Sequence, residues 1–460
     1  MAVWSSINMS YGIANKRLDA ERYKPQYLKN EEYLSSIKFE YLKKYISDIS
    51  GGATPKGAKY PNNGIRFVRV QNIRDNFFDL SDVVYIDETV HNGQLFRSQI
   101  QESDVLLTIT GVSYGNSSTA YKEMLPANIN QHSVRIALKS GLLPEVLSTF
   151  FCCKYGRLQS DSKVTGDTRP ALTYPEIGNY IIPIFDMDNQ VEIQKLVKES
   201  LQQRLLSHSL YHQAEELLAK ELQLDQLKLP NKKWYTADYY EAVKSKRLDS
   251  THFRDAYSDL FDFLKNYFLC KKIGQIVSVN RRGLQPIYSG KGTIMVVNSK
   301  HLSATHILYD QTERTTEEEF SKQSVAQIKY GDVLIYTTGA YIGLTNAFNS
   351  QEKALASNHV NILRLSDTSI DPNYLALVLN SKIGKLQTEK HSRGSAQLEL
   401  YPADIAKFVI PIISENKMKE IGDLVRNSLS ALNQSKQLLA QAKRRVEELI
   451  EQEANKYKQT

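Results

Sequence analysis

The sequence predicts an α+β fold: two similar α/β halves joined by two long helices that form an antiparallel coiled coil, the whole related by a pseudo-twofold internal repeat. Three observations predict it. A buried strand, a proline stop and a long charged amphipathic helix follow one another at Ile182-Pro183 and again at Ile410-Pro411. Within these copies Glu192/Glu420, Ile193/Ile421, Leu196/Leu424, Val197/Val425, Ser200/Ser428 and Leu201/Leu429 are identical at one offset, 228 residues. The same offset aligns ESDVLLTITGVSYGN (102–116) with YGDVLIYTTGAYIGL (330–344). Finally, Met418, Ile421, Val425, Ser428, Leu432, Ser435, Leu439, Ala442, Val446 and Leu449 recur in unbroken steps of three and four, a heptad seam.

Each half opens on a related segment, RLDAERYKPQY (17–27) and RLDSTHFRDAY (247–257). A recurring Arg-x-Asp is read either as a local ion pair or cap that sets how the half begins, or as a direct contact to a polyanion. From about 46 to 78 the pattern turns strand-like: Ile65, Phe67 and Val70 alternate with Arg66, Arg69 and Gln71, which predicts one packed face and one basic or amide-bearing face. The corresponding stretch of the second half, 277–302, has the same turn-rich style with almost no identity. Both copies must satisfy one fold, so this is where they are free to differ.

The repeat returns with Asp104/Asp332, Val105/Val333, Leu106/Leu334, Thr110/Thr338, Gly111/Gly339 and Gly115/Gly343. An Asp followed by an apolar run predicts a buried strand, and glycines four apart predict a turn with positive φ or a close approach. That turn is either a hairpin with nothing bound or a loop brought against a phosphate backbone. Asn130/Asn358 precede another strand, Pro144/Pro372 open a helix that carries Gly156/Gly384, and a glycine loop follows with Gly166/Gly394 in register. The long helices, about 40 residues each, would reach about 60 Å. The central helix places Ile193, Val197, Ser200, Leu205, Ala214, Leu217 and Leu218 on its seam with Arg204 nearby. The EEL segments at 215 and 447 stand 232 apart, one helical turn more than the repeat. The expected division is 1–185, 186–229, 230–413 and 414–460: globule, helix, globule, helix.

A chain of 460 residues exceeds one core, and the repeat favours an even number of units. Hydrophobic content of 41% and charged content of 24% exclude wholesale disorder. No apolar run reaches the ~20 residues that span a bilayer and the N-terminus lacks a signal-peptide pattern, so a cytoplasmic location without a membrane is expected. Cys152, Cys153 and Cys270 match neither a disulfide framework nor a CxxC metal site and are expected to be reduced and mostly buried. The formal charge of +7 is compatible with a polyanionic partner. No constellation for catalysis is present. The chain has no GxxxxGK[ST] loop, and its nine histidines show no HExxH or metal spacing. Asp371-Pro372-Asn373-Tyr374 is similar to the D/N-P-P-Y/F loop of amino-methyltransferases but lacks its second proline, and a helix start explains it equally.

Two globules, each with a TGxxxG turn, an Asn before a strand, a glycine loop and a strand-Pro-helix exit, resemble the specificity subunit of Type I restriction-modification systems over essentially the whole chain. In many members of that family the repeat looks circularly permuted, whereas here each half begins with its own RLD segment. The resemblance implies two target-recognition domains that each read one part of a bipartite double-stranded DNA sequence, and a coiled coil that sets the spacer. It implies a non-catalytic subunit, serving phage defence, without a cofactor of its own. S-adenosylmethionine, ATP and Mg would belong to its partners: two adenine methyltransferase subunits and, in the full complex, two restriction/translocase subunits. A recognition subunit for a different methyltransferase-nuclease, a coiled-coil interaction protein without DNA specificity, and a DNA-modifying enzyme in its own right are the alternatives. Direct readout uses Arg or Lys for guanine and Asn or Gln for adenine. The candidate DNA-binding residues are therefore Arg66, Arg69, Gln71, Asn72, Arg74, Asn116, Lys163, Thr165 and Arg169 in the first half. In the second they are Arg281, Arg282, Asn298, Lys300, His301, Tyr341, Arg393 and Gln397.

Overall fold

The computed structural model describes residues 5–14, 17, 19–55, 57, 60–166, 170–229, 234–394 and 397–458. The chain divides into two units, unit 1 made of Met1–Arg204 and Asn433–Thr460 and unit 2 of Leu205–Leu432. Each unit therefore contains a segment of each long helix.

Unit 1 contains strands β1 (Phe39–Tyr41), β2 (Ile46–Gly51), β3 (Ile65–Val68), β4 (Val84–Ile86), β5 (Val105–Thr108), β6 (Ser117–Thr119), β7 (Ala127–Ile129), β8 (Ser133–Leu138) and β9 (Ile181–Pro183). They form sheets in the orders β2-β8-β5-β6, β4-β3-β7 and β1-β9. In unit 2 the strands are β10 (Leu269–Lys272), β11 (Val277–Arg282), β12 (Ile294–Val297), β13 (Glu313–Thr315), β14 (Gln327–Ile328), β15 (Val333–Tyr336), β16 (Thr345–Ala347), β17 (Ala354–Ala356), β18 (Val360–Leu365) and β19 (Val409–Ile412). Their orders, β11-β18-β15-β16, β13-β12-β17-β14 and β10-β19, repeat those of unit 1 strand for strand. The one addition is β14 on β17; unit 1 has a single bridge, Gln99 to Asn128, at the same place. In both units the third strand pairs in parallel with the one that runs before the Asn130/Asn358 turn, β3 with β7 and β12 with β17.

The strands after Asp104 and Asp332 are buried along nearly their whole length, as a run of apolar residues without polar alternation requires. Each Asp closes the preceding turn, accepting from the Gln101 and Lys329 amides at 2.7 Å. A single helix is expected from Pro144 and from Pro372. Instead there are two in succession, Pro144–Cys152 then Lys154–Lys163, and Pro372–Asn380 then Lys382–His391. The chain breaks at Cys153 and Ser381, and the second helix turns back so closely that a Cβ on Gly156 would sit 1.9 Å from the Phe150 carbonyl oxygen. On Gly384 it would sit 2.0 Å from that of Leu379, so only glycine fits. Asp371 caps its helix, accepting from the Asn373 and Tyr374 amides, while Asn373 and Tyr374 are buried. That is the helix-start reading, not a methyltransferase loop.

The long helices span Met187–Glu221 and Glu415–Lys458, 35 and 44 residues. All ten positions of the C-terminal seam are buried. Within unit 1 the two segments run in opposite directions: Ser200 Oγ meets Ser435 Oγ at 2.9 Å, and Arg445 pairs with Glu192 at 2.8 Å. Within unit 2, Ser207 Oγ meets Ser428 Oγ at 3.1 Å, and Lys417 lies 3.7 Å from Glu221. The central seam differs from expectation in one respect: Leu205 is 42% exposed, whereas Ser207 and Tyr211 are buried. Stepping through Ile193, Val197, Ser200, Arg204, Ser207, Tyr211, Ala214 and Leu218 restores an unbroken heptad, hidden in the sequence because four of these positions are polar or aromatic. Arg204 lies over the Phe77 ring at 3.7 Å, and burial brings its guanidinium down to about 10. Cys152 and Cys153 are free and buried, their thiols pushed up to about 12 by burial, and Cys270 is half-buried. Among the described residues no helix is long and apolar enough to cross a membrane.

Candidate nucleic-acid interface

The recurring Arg-x-Asp turns out to be a helix cap. Arg17 pairs with Asp19 and donates to the carbonyl oxygens of Lys163 and Val164, both at 3.0 Å, at the end of helix Lys154–Lys163. Arg247 pairs with Asp249 at 2.5 Å and donates to His391 O (3.3 Å) and Ser392 O (2.8 Å), at the end of helix Lys382–His391. A guanidinium at a helix C-terminus satisfies the last carbonyls and complements the helix dipole. Both side chains are largely buried, Arg17 at 11% and Arg247 at 7% exposure, and the cap reading accounts for both.

The TGxxxG turns pack their second glycine against the same helices. Gly115 (φ 78°) would bring a Cβ to 3.0 Å from the Arg157 and Ser160 side chains, and Gly343 (φ 91°) to 2.7 Å from Thr388 Oγ1. The turn residues Val112 and Tyr341 stay exposed. Each turn bridges to the glycine loop, Thr110 to Ala171 and Thr338 to Glu399. In unit 2 the turn, the RLD segment and the loop enclose an open cleft of about 810 Å³, lined by Arg247, Arg254, Lys385 and Arg393 among others. Arg393 pairs with Asp404 at 3.1 Å; Arg282, half-buried, donates to Leu400 O (3.0 Å) and lies over the Tyr401 ring. Gln397 and Arg281 are exposed, Arg281 at the outer end of β11 opposite Ile362. In unit 1 Thr165 is exposed on the corresponding loop, and Arg169 lies outside the described residues. Lys163 is buried, 3.7 Å from Glu176 and over the Tyr180 ring, and burial holds its amine below the usual lysine range.

The largest gathering of predicted residues is the turn after the third strand. In unit 1 a 3-10 turn, Val70–Asn72, follows β3, so the strand ends at Val68 rather than running on to Gln71. Asn72 is fully buried: its Oδ1 accepts from the Arg69 amide (2.9 Å), and its Nδ2 donates to Asp82 Oδ1 (2.6 Å) and Asp79 O (2.9 Å). Arg69 donates to Asp82 O (2.8 Å), and with the Gln71 amide in its satisfied orientation the Gln71 oxygen accepts from Arg69 Nη2 at 2.9 Å. Arg74 lies 3.5 Å from Asp79. Arg66 sits mid-strand between Tyr85 and Ala127, half-buried. Asn116 is not in this group; it holds Arg157 at 2.5 Å and donates to Ile73 O at 3.3 Å.

In unit 2 the turn Ser299–His301 follows β12 in the same way. His301 is fully buried and takes the place of Asn72, accepting at Nδ1 from the Asn298 amide (2.9 Å). That bond puts the ring proton on Nε2, which faces Glu313 at 3.3 Å, and burial holds the imidazole below its usual range, neutral. Asn298 Nδ2 donates to Glu313 Oε2 (2.6 Å), Lys300 pairs with Glu313, and Tyr288 Oη donates to Asn298 Oδ1 (3.0 Å). Sequence reasoning found the cations and amides and missed Asp79, Asp82, Glu313 and Tyr288. The signal was an acidic residue 10 positions beyond Asn72 and 12 beyond His301. Among the described residues no group of three or more His, Cys, Asp or Glu side chains is arranged to hold a metal ion.

Residues 268–444 match the family model of the Type I restriction modification DNA specificity domain. Among solved structures, the chain is similar to the S subunit of a Type-I restriction-modification system from M. genitalium, with 12% identity, 92% of this chain and 96% of that one covered, and a TM-score of 0.46. It is also similar to a chain from work on complex assembly and conformational transition of the type I R-M system (15% identity, 91% and 97% covered, TM-score 0.28). A third is the HsdS subunit of Thermoanaerobacter tengcongensis (15% identity, 92% and 96% covered, TM-score 0.27). No curated protein matches the chain.

Proposed function

We propose that this chain, whose residues 268–444 match the family model of the Type I restriction modification DNA specificity domain, is the specificity subunit of a Type I restriction-modification complex and reads a bipartite DNA target, one part with each half. The observation that carries this reading is the strand-for-strand repetition of unit 2 by unit 1, helix caps included. If one copy is a DNA specificity domain, the other is a second domain of the same kind. Its different exposed side chains would read a different half-site.

In this reading 1–185 and 230–413 are the two target-recognition domains. The helices 186–229 and 414–460 pair as an antiparallel coiled coil that sets the spacer and docks two methyltransferase subunits, with two restriction/translocase subunits in the full complex. S-adenosylmethionine, ATP and Mg act in those partners, and the chain itself supplies recognition only. The exposed candidates Thr165, Arg281, Lys300, Tyr341, Arg393 and Gln397 and the half-buried Arg66, Arg69, Gln71, Arg74 and Asn298 supply base and phosphate contacts. The buried Asn72, Lys163 and His301 support the loops that carry them.

Methylome sequencing of cells with and without the gene tests this. The expected result is a bipartite adenine-methylated motif that disappears with the gene. Exchanging residues 45–185 for another such domain should replace one half of that motif and leave the other; a change in both halves, or in neither, refutes the modular assignment.

A further inference from the structure

We propose that Asp82 and Glu313 are the specificity-positioning residues of the two halves, each carboxylate fixing a cation and an amide of its turn in the arrangement that reads a base pair. This deepens, and rests on, the reading of the chain as a DNA specificity subunit.

The two turns share a backbone and differ in chemistry. Residues 69–72 and 298–301 each follow a strand paired in parallel on one side and antiparallel on the other. In each, the fourth residue is buried and accepts from the amide of the first, as Asn72 in one and His301 in the other. The first and third residues are exposed or half-exposed and hold one cation and one amide in opposite order: Arg69 and Gln71, then Asn298 and Lys300. A cation suits guanine O6 and N7, an amide suits adenine N6 and N7, and exchanging their positions exchanges the order of bases a turn prefers.

In both turns one carboxylate gathers these groups. Asp82 accepts from Asn72 at Oδ1 (2.6 Å), its Oδ2 lies 3.5 Å from Arg69 Nη2 and its carbonyl oxygen accepts from the same guanidinium (2.8 Å); Glu313 accepts from Asn298 (2.6 Å), pairs with Lys300 and faces His301 Nε2 at 3.3 Å. Folding needs little from either charge, since Asp82 is 56% and Glu313 34% exposed and such ion pairs add little stability, while Asn or Gln in their place keeps an acceptor oxygen for Asn72 or Asn298. What a carboxylate there does supply is order in advance: a long cationic side chain already fixed loses less freedom on meeting a base.

The test is methylation-motif mapping in cells carrying the full chain with its own partners, comparing wild type, Asp82→Asn, Asp82→Glu and Glu313→Gln, with melting temperature measured on each purified protein. Asp82→Asn should relax discrimination at one position of one half-site by roughly tenfold, and Glu313→Gln should do so in the other half only. Asp82→Glu should restore most of the selectivity, with all melting temperatures near wild type. An unchanged motif in both neutral variants, or loss of methylation at every sequence, overturns the inference while a bipartite wild-type motif leaves the proposed function standing. A wild-type motif that is not bipartite overturns the proposed function itself.

Discussion

The helix caps and the third-strand turns are duplicated in opposite ways. Arg17 and Arg247 do the same work with the same atoms, binding an Asp two residues on and the last two carbonyls of a helix. Residues 69–72 and 298–301 keep only their backbone. The difference follows from the partners. A side chain that satisfies main-chain carbonyls faces the same geometry in every copy of a fold, so its identity is held; one that faces solvent and other side chains can change as long as its neighbours change with it. Divergence within a retained framework therefore marks the surface where the halves are free to differ.

The comparison can be broken first at the buried ion pairs beneath the two sheets. Arg364 grips Asp332 through two bonds of 2.8 and 2.7 Å, whereas Arg135 stands 3.5 Å from Asp104 and is shared with Asp48. Asp332 is almost wholly buried, so Arg364→Ala leaves a carboxylate without its charge partner and should destabilise unit 2 by about 3–5 kcal/mol. Arg135→Ala should cost unit 1 about 1–2 kcal/mol. Denaturant unfolding of each variant checks the order, and equal losses would remove the contrast.

Acid should separate the units next. His391 packs against Phe408, and burial drives its imidazole down to about 3, whereas unit 1 has Lys163 at the matching place. The unfolded chain protonates this His near its ordinary value of about 6.5 while the folded one resists until about pH 3. Stability is thus lost as pH falls through that window, by about 1.4 kcal/mol per unit. Unfolding followed from pH 7 to 4 should show a slope that His391→Gln reduces; an unaltered slope would place the acid sensitivity elsewhere.

The smallest effect sharpens the comparison at the helix seams. Ser200 and Ser435 in unit 1, and Ser207 and Ser428 in unit 2, satisfy each other out of water. Ser200 and Ser428 also donate to the Ser435 and Ser207 carbonyl oxygens, so Ser200→Ala and Ser428→Ala, which leave the Ser435 and Ser207 hydroxyls unpaired, should each cost about 1 kcal/mol, and the double change in each pair should return most of it. Thermal melting of the two double-variant cycles should give coupling of one sign in both units.

Several features are legible in the sequence. The repeat announced two units, the apolar runs after Asp104 and Asp332 announced buried strands, and the C-terminal heptad was buried at every position. The central seam was obscured because Arg204, Ser207 and Tyr211 occupy positions where a pattern reader looks for aliphatic residues, and Leu205 beside them drew the register off by one. The helix break at Cys153 and Ser381 was equally invisible, since Gly156 and Gly384 reveal their purpose only when the preceding carbonyl lies against them.

What the sequence alone determined is whatever depends on periodicity: strand and helix segments, the duplication, and the residue types available to meet a polyanion, all of which are local or recur at a constant offset. What only the tertiary structure decided is the allocation of those residues. Lys163 and His301 are as polar as Lys300 and Arg74, yet the first two are buried and the others reach solvent, because burial is set by elements distant in the chain. The same long-range closure brings Asp82 and Glu313 onto turns 10 and 12 residues upstream, and so joins isolated cations and amides into two comparable clusters.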